Sequence, residues 1–149
     1  MKNLYLFLLS AFILTIMSCK TKDNAFNPQN FKDPLISFGS GGGFTGRVKT
    51  FYLTQKGNLY VSDNDKYMLL GKANKGITSQ IFTNYDALGL KTLSLNDPGN
   101  KYYFVNFQSK DFNNAIKWGN NPLENKNLSI YYNILLDLVK KLNPDDAHN

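Results

Sequence analysis

The chain has one cysteine (Cys19), one histidine (His148), one arginine (Arg47), one glutamate (Glu124) and one tryptophan (Trp118). Each scarcity closes a class of chemistry. A lone cysteine has no partner within the chain for a disulfide and no second thiolate for a zinc site. His148 stands in a polar tail, so no Ser–His or Cys–His pair is available to a folded domain. A single Arg leaves out the forked donors that usually read phosphates and base edges, which argues against nucleic acid as a partner. The formal charge of +6 falls to about +5 once Lys2 is removed with the N-terminal signal, and the remaining lysines are spread from Lys20 to Lys141 without a dense run. That pattern describes a solvated surface with a weak attraction to anionic lipid or polysaccharide.

Long apolar runs are also scarce. Residues 4–17 form the one extended run, shorter than the roughly 20 residues that span a bilayer, and no stop-transfer cluster follows. The run follows Met1-Lys2-Asn3 and ends on Ile16-Met17-Ser18-Cys19. This tetrad resembles the bacterial lipobox, an aliphatic residue, then a small residue, then the cysteine that is acylated before signal cleavage. The resemblance implies a lipoprotein signal over residues 1–18, cleavage between Ser18 and Cys19, and lipidation of Cys19. Acyl chains would then replace the removed apolar helix as the anchor, several chains holding far better than one. Lys20 after the cysteine, by analogy with the sorting rule of enteric bacteria, favours the outer membrane with the domain facing the periplasm.

What the sequence has in quantity is aromatic side chains, nine Tyr and eleven Phe, enough for a real core. Residues 19–33, polar and broken by Pro28, read as the lipid anchor and a flexible tether of about 14 residues reaching roughly 45 Å. Residues 34–143 read as a single domain and 144–149 as a disordered tail. Residues 34–38 are apolar, 47–54 are rich in β-formers, and 59–62 and 67–72 complete a meander with turns at 55–58 and 63–66. Ile77, Ile81, Tyr85 and Leu88 repeat at helical spacing. After the turn Asn96-Asp97-Pro98-Gly99-Asn100, residues 102–109 carry bulk on both faces, as a central strand does. A further strand covers 115–118. Leu128, Tyr131, Leu135, Leu138 and Leu142, widened by Tyr132 and Val139, mark a last amphipathic helix. The expected class is α+β: an antiparallel sheet of about five to six strands in the order β-β-β-β-α-β-β-α, with two helices packed on one face.

One stretch stands outside this scheme. Residues 39–46, Gly-Ser-Gly-Gly-Gly-Phe-Thr-Gly, match G-x-G-x-x-G from Gly41 to Gly46. A dinucleotide fingerprint needs a helix after the last glycine, and a phosphate loop needs Lys-Ser/Thr there; Arg47-Val48 opens a strand instead. Two readings stay open. One is a loop packed closely under a neighbour with Phe44 tucked into the core. The other is a ligand site in which Gly41, Gly42, Gly43 and Thr45 form a nest of amides for an anion and Arg47 adds charge.

No catalytic set and no metal set emerge. Asp63 and Asp65 fit a hairpin turn better than a calcium loop, which would need a closing Glu twelve residues along. Trp118 reads as a core anchor at a strand end. No cofactor is expected. The segments FGSGGGFTG, YLTQKGNLY, NDPGNKYYFVNF and IKWG, followed by the terminal helix, are together similar to a group of short uncharacterised lipoproteins of Gram-negative bacteria. The resemblance covers most of the chain after the signal, supports the fold reading and transfers no catalytic residue. The functional expectation is therefore a non-enzymatic binding or interaction module of the cell envelope, held to the membrane through acylated Cys19, with an envelope protein or polysaccharide as partner. A small-ligand or anion site on residues 39–46, or a hydrolase built from Asp with Tyr or Lys, are the alternatives.

Overall fold

The structure, a computed structural model, describes residues 26–63, 66–119 and 125–144. Ser18, Cys19, Asp65, Glu124 and His148 lie outside these residues. The domain is α+β, with two helices on one mixed sheet. Four strands come first: β1 Leu35–Gly42, β2 Val48–Thr54, β3 Asn58–Asp63 and β4 Lys66–Lys72. Helix α1 (Lys75–Ala87) follows, then β5 Asn96–Asp97, β6 Lys101–Gln108, β7 Asn113–Gly119 and helix α2 (Lys126–Leu142). The strand order is β4-β3-β2-β1-β6-β7-β5.

Two expectations about the sheet are corrected. It has seven strands among the described residues rather than five to six, and it is not wholly antiparallel, because β5 runs parallel to β7. After α1 the chain returns along the outer side of β7. The Lys117 amide donates to the Leu95 carbonyl (2.9 Å), and Asn96 and Asp97 pair with Lys117 and Trp118. Two residues with no apolar alternation leave no sequence pattern to read.

The helices form where the periodicity places them. Asn74 caps α1, its side-chain oxygen accepting from the amides of Gly76 (2.7 Å) and Ile77 (3.2 Å). Asn125 caps α2 in the same way through Leu128. Both helices cover the sheet face that carries Ile36, Phe38, Phe51, Leu53, Leu59, Val61, Val105, Ile116 and Trp118. The stripe on α2 is buried as the spacing requires, from Leu128 through Tyr131, Tyr132, Leu135 and Leu138 to Val139. Trp118 is 7 % exposed and meets Tyr132 edge-on at 5.1 Å, so it is a core anchor. The buried hydroxyls are partnered: Tyr131 Oη donates to the Ile81 carbonyl (3.1 Å) and Tyr132 Oη to the Gly39 carbonyl (3.0 Å). Asn114 Nδ2 donates to Tyr85 Oη and to the carbonyls of Leu90 and Leu93, tying β7 to the loop after α1.

The opposite sheet face has its own cover. Tyr52, Tyr60 and Tyr67 lie together there, since Tyr52 pairs with Tyr60 across β2 and β3. Phe26 stacks flat on Tyr60, with centroids 4.0 Å apart and planes 4° from parallel. It also meets Phe31, Tyr52 and Tyr67 edge-on. Pro28 is buried in a 3-10 turn capped by Asn27. Residues 26–33, expected as part of the flexible tether, are therefore packed against the sheet. An outward face with three tyrosines in reach of one another presents apolar area that this segment removes from water. Phe26→Ala should cost about 2 kcal/mol, below a full core Phe→Ala because the ring is half-buried. Amide exchange over 26–33 should speed up more than exchange in α2; uniform protection would show that the segment stays docked without the ring.

Among the described residues the sheet ends laterally on two unlike edges. β5 is a two-residue strand, whereas β4 offers a seven-residue edge flanked by Lys66 and Lys72 and exposing Met68 and Leu69.

Candidate functional site

The glycine-rich stretch is mainly strand. Residues 39–42 are the second half of β1, with Gly39 to Gly41 paired on both sides, to β2 and to β6, and Gly42 paired to β6 alone. The expectation of a loop beginning at Gly39 is corrected for a steric reason. On the face away from the helices, aromatic rings of β6 occupy the space that side chains on β1 would fill. A Cβ on Gly41 would sit 2.6 Å from Tyr102 Oη, and one on Gly39 would sit 3.2 Å from the Phe104 ring and inside contact of the Lys49 carbonyl. Glycine lets the rings lie flat on the strand, and the rings give the glycines the packing they lack.

Beyond Gly42 the chain leaves the sheet. Gly42, Gly43 and Gly46 have φ of +82°, +71° and +62°, the left-handed region that glycine enters without strain. Residues 43–47 form the tip of the β1–β2 hairpin. The Gly43 amide donates to the Asn100 carbonyl (2.8 Å), the Gly46 amide to the Gly43 carbonyl (3.2 Å), and the Arg47 amide to Thr45 Oγ1 (3.5 Å). Of the four residues expected to form an anion nest, Gly43 has its amide committed to Asn100, while Gly41 and Gly42 belong to the sheet. Among the described residues nothing approaches the Cβ positions of Gly43 and Gly46 within 4 Å. Phe44 is 107 % exposed, so its expected place in the core is corrected: the tip projects past the end of the sheet, beyond the reach of either helix. Thr45 and Arg47 are exposed with it.

The fold also gathers charges that spacing does not. Ser40 pairs with Lys49 on one side and Tyr103 on the other, and Gly42 pairs with Lys101. This row faces α2, and a cleft of about 220 Å³ opens there, lined by Ser40, Lys49, Lys101, Tyr103, Tyr132 and Lys140 among others. The lysine stems lie along aromatic walls. Lys49 Nζ is 5.5 Å from the Phe51 centroid and Lys101 Nζ is 5.8 Å from that of Tyr103. Lys140 also reaches Asp137 at 3.4 Å. Three ammonium groups around one small cleft make it attractive to an anion. Sequence reasoning misses these lysines, which lie about forty or more positions apart. The one local signal is Lys49, which shares the inward parity of Phe51 on β2.

Strand direction puts the hairpin tip, the start of β6 and the end of β7 at the same end of the sheet. Lys117, 4.9 Å from the Tyr102 centroid, adds a cation on the opposite face of that end. Among the described residues no group of three His, Cys, Asp or Glu side chains converges, and no helix is long and apolar enough to cross a membrane. Neither a scan of protein-family models nor a search of curated proteins finds a match to this chain.

Proposed function

We propose that the chain is a lipid-anchored cell-envelope protein whose domain serves as a non-enzymatic interaction module, with the β1–β2 hairpin as its contact element. The observation that carries this reading is the display of Phe44, fully in water, on a tip whose base is locked into the centre of the sheet. A large apolar ring held out by an ordered support is arranged for contact with something outside the domain. The resemblance of Ile16-Met17-Ser18-Cys19 to a lipobox supports the location. Because Phe26 is docked, seven residue steps separate Cys19 from the domain, a span of at most about 25 Å. The contact element thus works close to the membrane that holds the acyl chains.

Metabolic labelling with palmitate tests the anchor. The native chain should carry the label and partition into the detergent phase, and Cys19→Ser should lose the label. An unlabelled native chain whose N-terminus is not at Cys19 would end the lipoprotein reading.

The lysine cleft favours a second reading, a small-anion site, with the charge supplied by Lys49, Lys101 and Lys140 in place of the amides of residues 41–45.

A further inference from the structure

We infer that the hairpin tip is a second membrane contact, specific for bilayers that carry anionic phospholipid. Phe44 enters the interfacial layer while Lys49, Lys101 and Lys140 face the phosphodiester headgroups. The inference rests on the lipid-anchored reading, because the short span from Cys19 keeps the tip near a bilayer.

Three observations converge. The first is reach: the turn closed by the Gly46 amide on the Gly43 carbonyl holds Phe44 at the apex, fully exposed, as shallow interfacial burial requires. The second is composition. The apex is one aromatic ring between left-handed glycines, followed by Arg47, exposed Val48 and Lys49. An aromatic ring suits the interface, where an apolar body meets a polar boundary, and lysine stems let their charges ride at headgroup level. The third is the placing of cations around the apex. Lys49, Lys101 and Lys140 stand on the helix side and Lys117 on the other face, so headgroups on either side of an inserted Phe44 meet a positive charge.

Direction also agrees. From Pro34, whose carbonyl accepts from Gln55 at the far end of the sheet, the chain runs back to Phe26 beside Tyr67. Tyr67 pairs with Ser62, and Ser62 with Thr50, two residues from the start of β2. Phe26, the first described residue, therefore lies nearer than Pro34 to the end of the sheet that bears the tip. A protein partner would also accept Phe44. A single ring at the apex with cations on both sides fits a charged, laterally fluid surface better than a shaped pocket.

The test uses the mature, acylated chain with Phe44→Trp, reconstituted into phosphatidylcholine vesicles with and without phosphatidylglycerol, some carrying brominated acyl chains. Buried Trp118 is the internal reference, since it should not be quenched. Emission from the indole introduced at position 44 should shift to the blue and be quenched by bromolipid only when phosphatidylglycerol is present. In Lys49→Gln and Lys101→Gln, checked for an unchanged Trp118 signal, the docked-to-free ratio should fall about fivefold per lysine. A chain that floats with the vesicles while the introduced indole stays water-like and unquenched overturns the inference and leaves the anchor standing. A chain that does not float removes the anchor reading, and this one with it. A photoreactive phenylalanine analogue at position 44 that labels protein instead of lipid in native membranes also overturns it.

Discussion

Replacing Gly39 by alanine should lower the melting temperature by roughly 10 °C. The residue sits mid-strand in β1, with β2 on one side and β6 on the other. An added Cβ would press into the Lys49 carbonyl, which is backbone held by the sheet, and would meet the Phe104 ring at 3.2 Å. Neither neighbour can swing away without breaking the β1–β2 ladder or lifting the ring off the strand. Overpacking of this kind costs about 3 kcal/mol, and for a domain of this size that converts to the stated shift. The Gly39 carbonyl also holds Tyr132 Oη, so any displacement of β1 loosens α2 as well. Gly43→Ala and Gly46→Ala form the contrast. Both meet open space and incur only the left-handed backbone cost, about 1 kcal/mol each. Thermal melts of the three variants would decide the matter. Equal losses at 39, 43 and 46 would mean that backbone conformation, not the close approach of strands, explains the glycines.

Raising the pH above about 10 should destabilise the domain steadily, because three buried tyrosines resist ionisation only while it is folded. Tyr85 is pushed up to about 12 by burial, an effect partly offset by the amide of Asn114 donating to its oxygen. Burial raises Tyr131 and Tyr132 further, with Tyr85 and Tyr103 respectively adding a smaller push in the same direction. An unfolded tyrosine ionises near 10. Above that value the unfolded chain releases protons that the folded chain keeps, so stability is complete below pH 10 and declines as pH climbs toward 12 and beyond. Each such tyrosine contributes at most about 1.4 kcal/mol per pH unit to the decline. Tyr131 and Tyr132 both donate to carbonyls, so ionisation would also set an oxyanion against a carbonyl oxygen. The melting temperature should therefore fall in step with the appearance of tyrosinate absorbance. A melting temperature that stays flat to pH 12 would contradict the assignment. Tyr132→Phe should make the fall shallower while starting from a less stable protein.

The parts of this fold that declare themselves in sequence are those with one buried stripe and a clear period. The helix around Ile81 and Tyr85, the terminal helix from Leu128 to Leu142, and the strand with bulk on both faces at 102–109 are all where periodicity puts them. That strand is β6, covered by α2 on one side and lying over glycines on the other. The glycine-rich half of β1 is not legible because composition treats glycine as a breaker. Whether glycine breaks or continues a strand depends on the facing residue, here Tyr102 and Phe104 some sixty positions away. Residues 26–33 hide for the converse reason. Polar, Pro-containing composition describes their own chain well but says nothing of the Tyr52–Tyr60–Tyr67 surface that holds Phe26. In the candidate site, Arg47 and Thr45 are visible as neighbours of the glycines. Lys49, Lys101 and Lys140 come together only through strand pairing and the path of α2.

The border of β4, unpaired among the described residues, acquires a meaning once many copies share a surface. Molecules confined to two dimensions collide edge to edge far more often than molecules in bulk, and a bare seven-residue strand invites templated growth of one sheet into the next. In an antiparallel meeting of two such borders, the lysine that begins one strand lies opposite the lysine that closes the other, and Gly71 weakens the register between them. Like charges at both ends of the contact act as bumpers. If the chain is lipid-anchored as proposed, they would allow crowding without polymerisation.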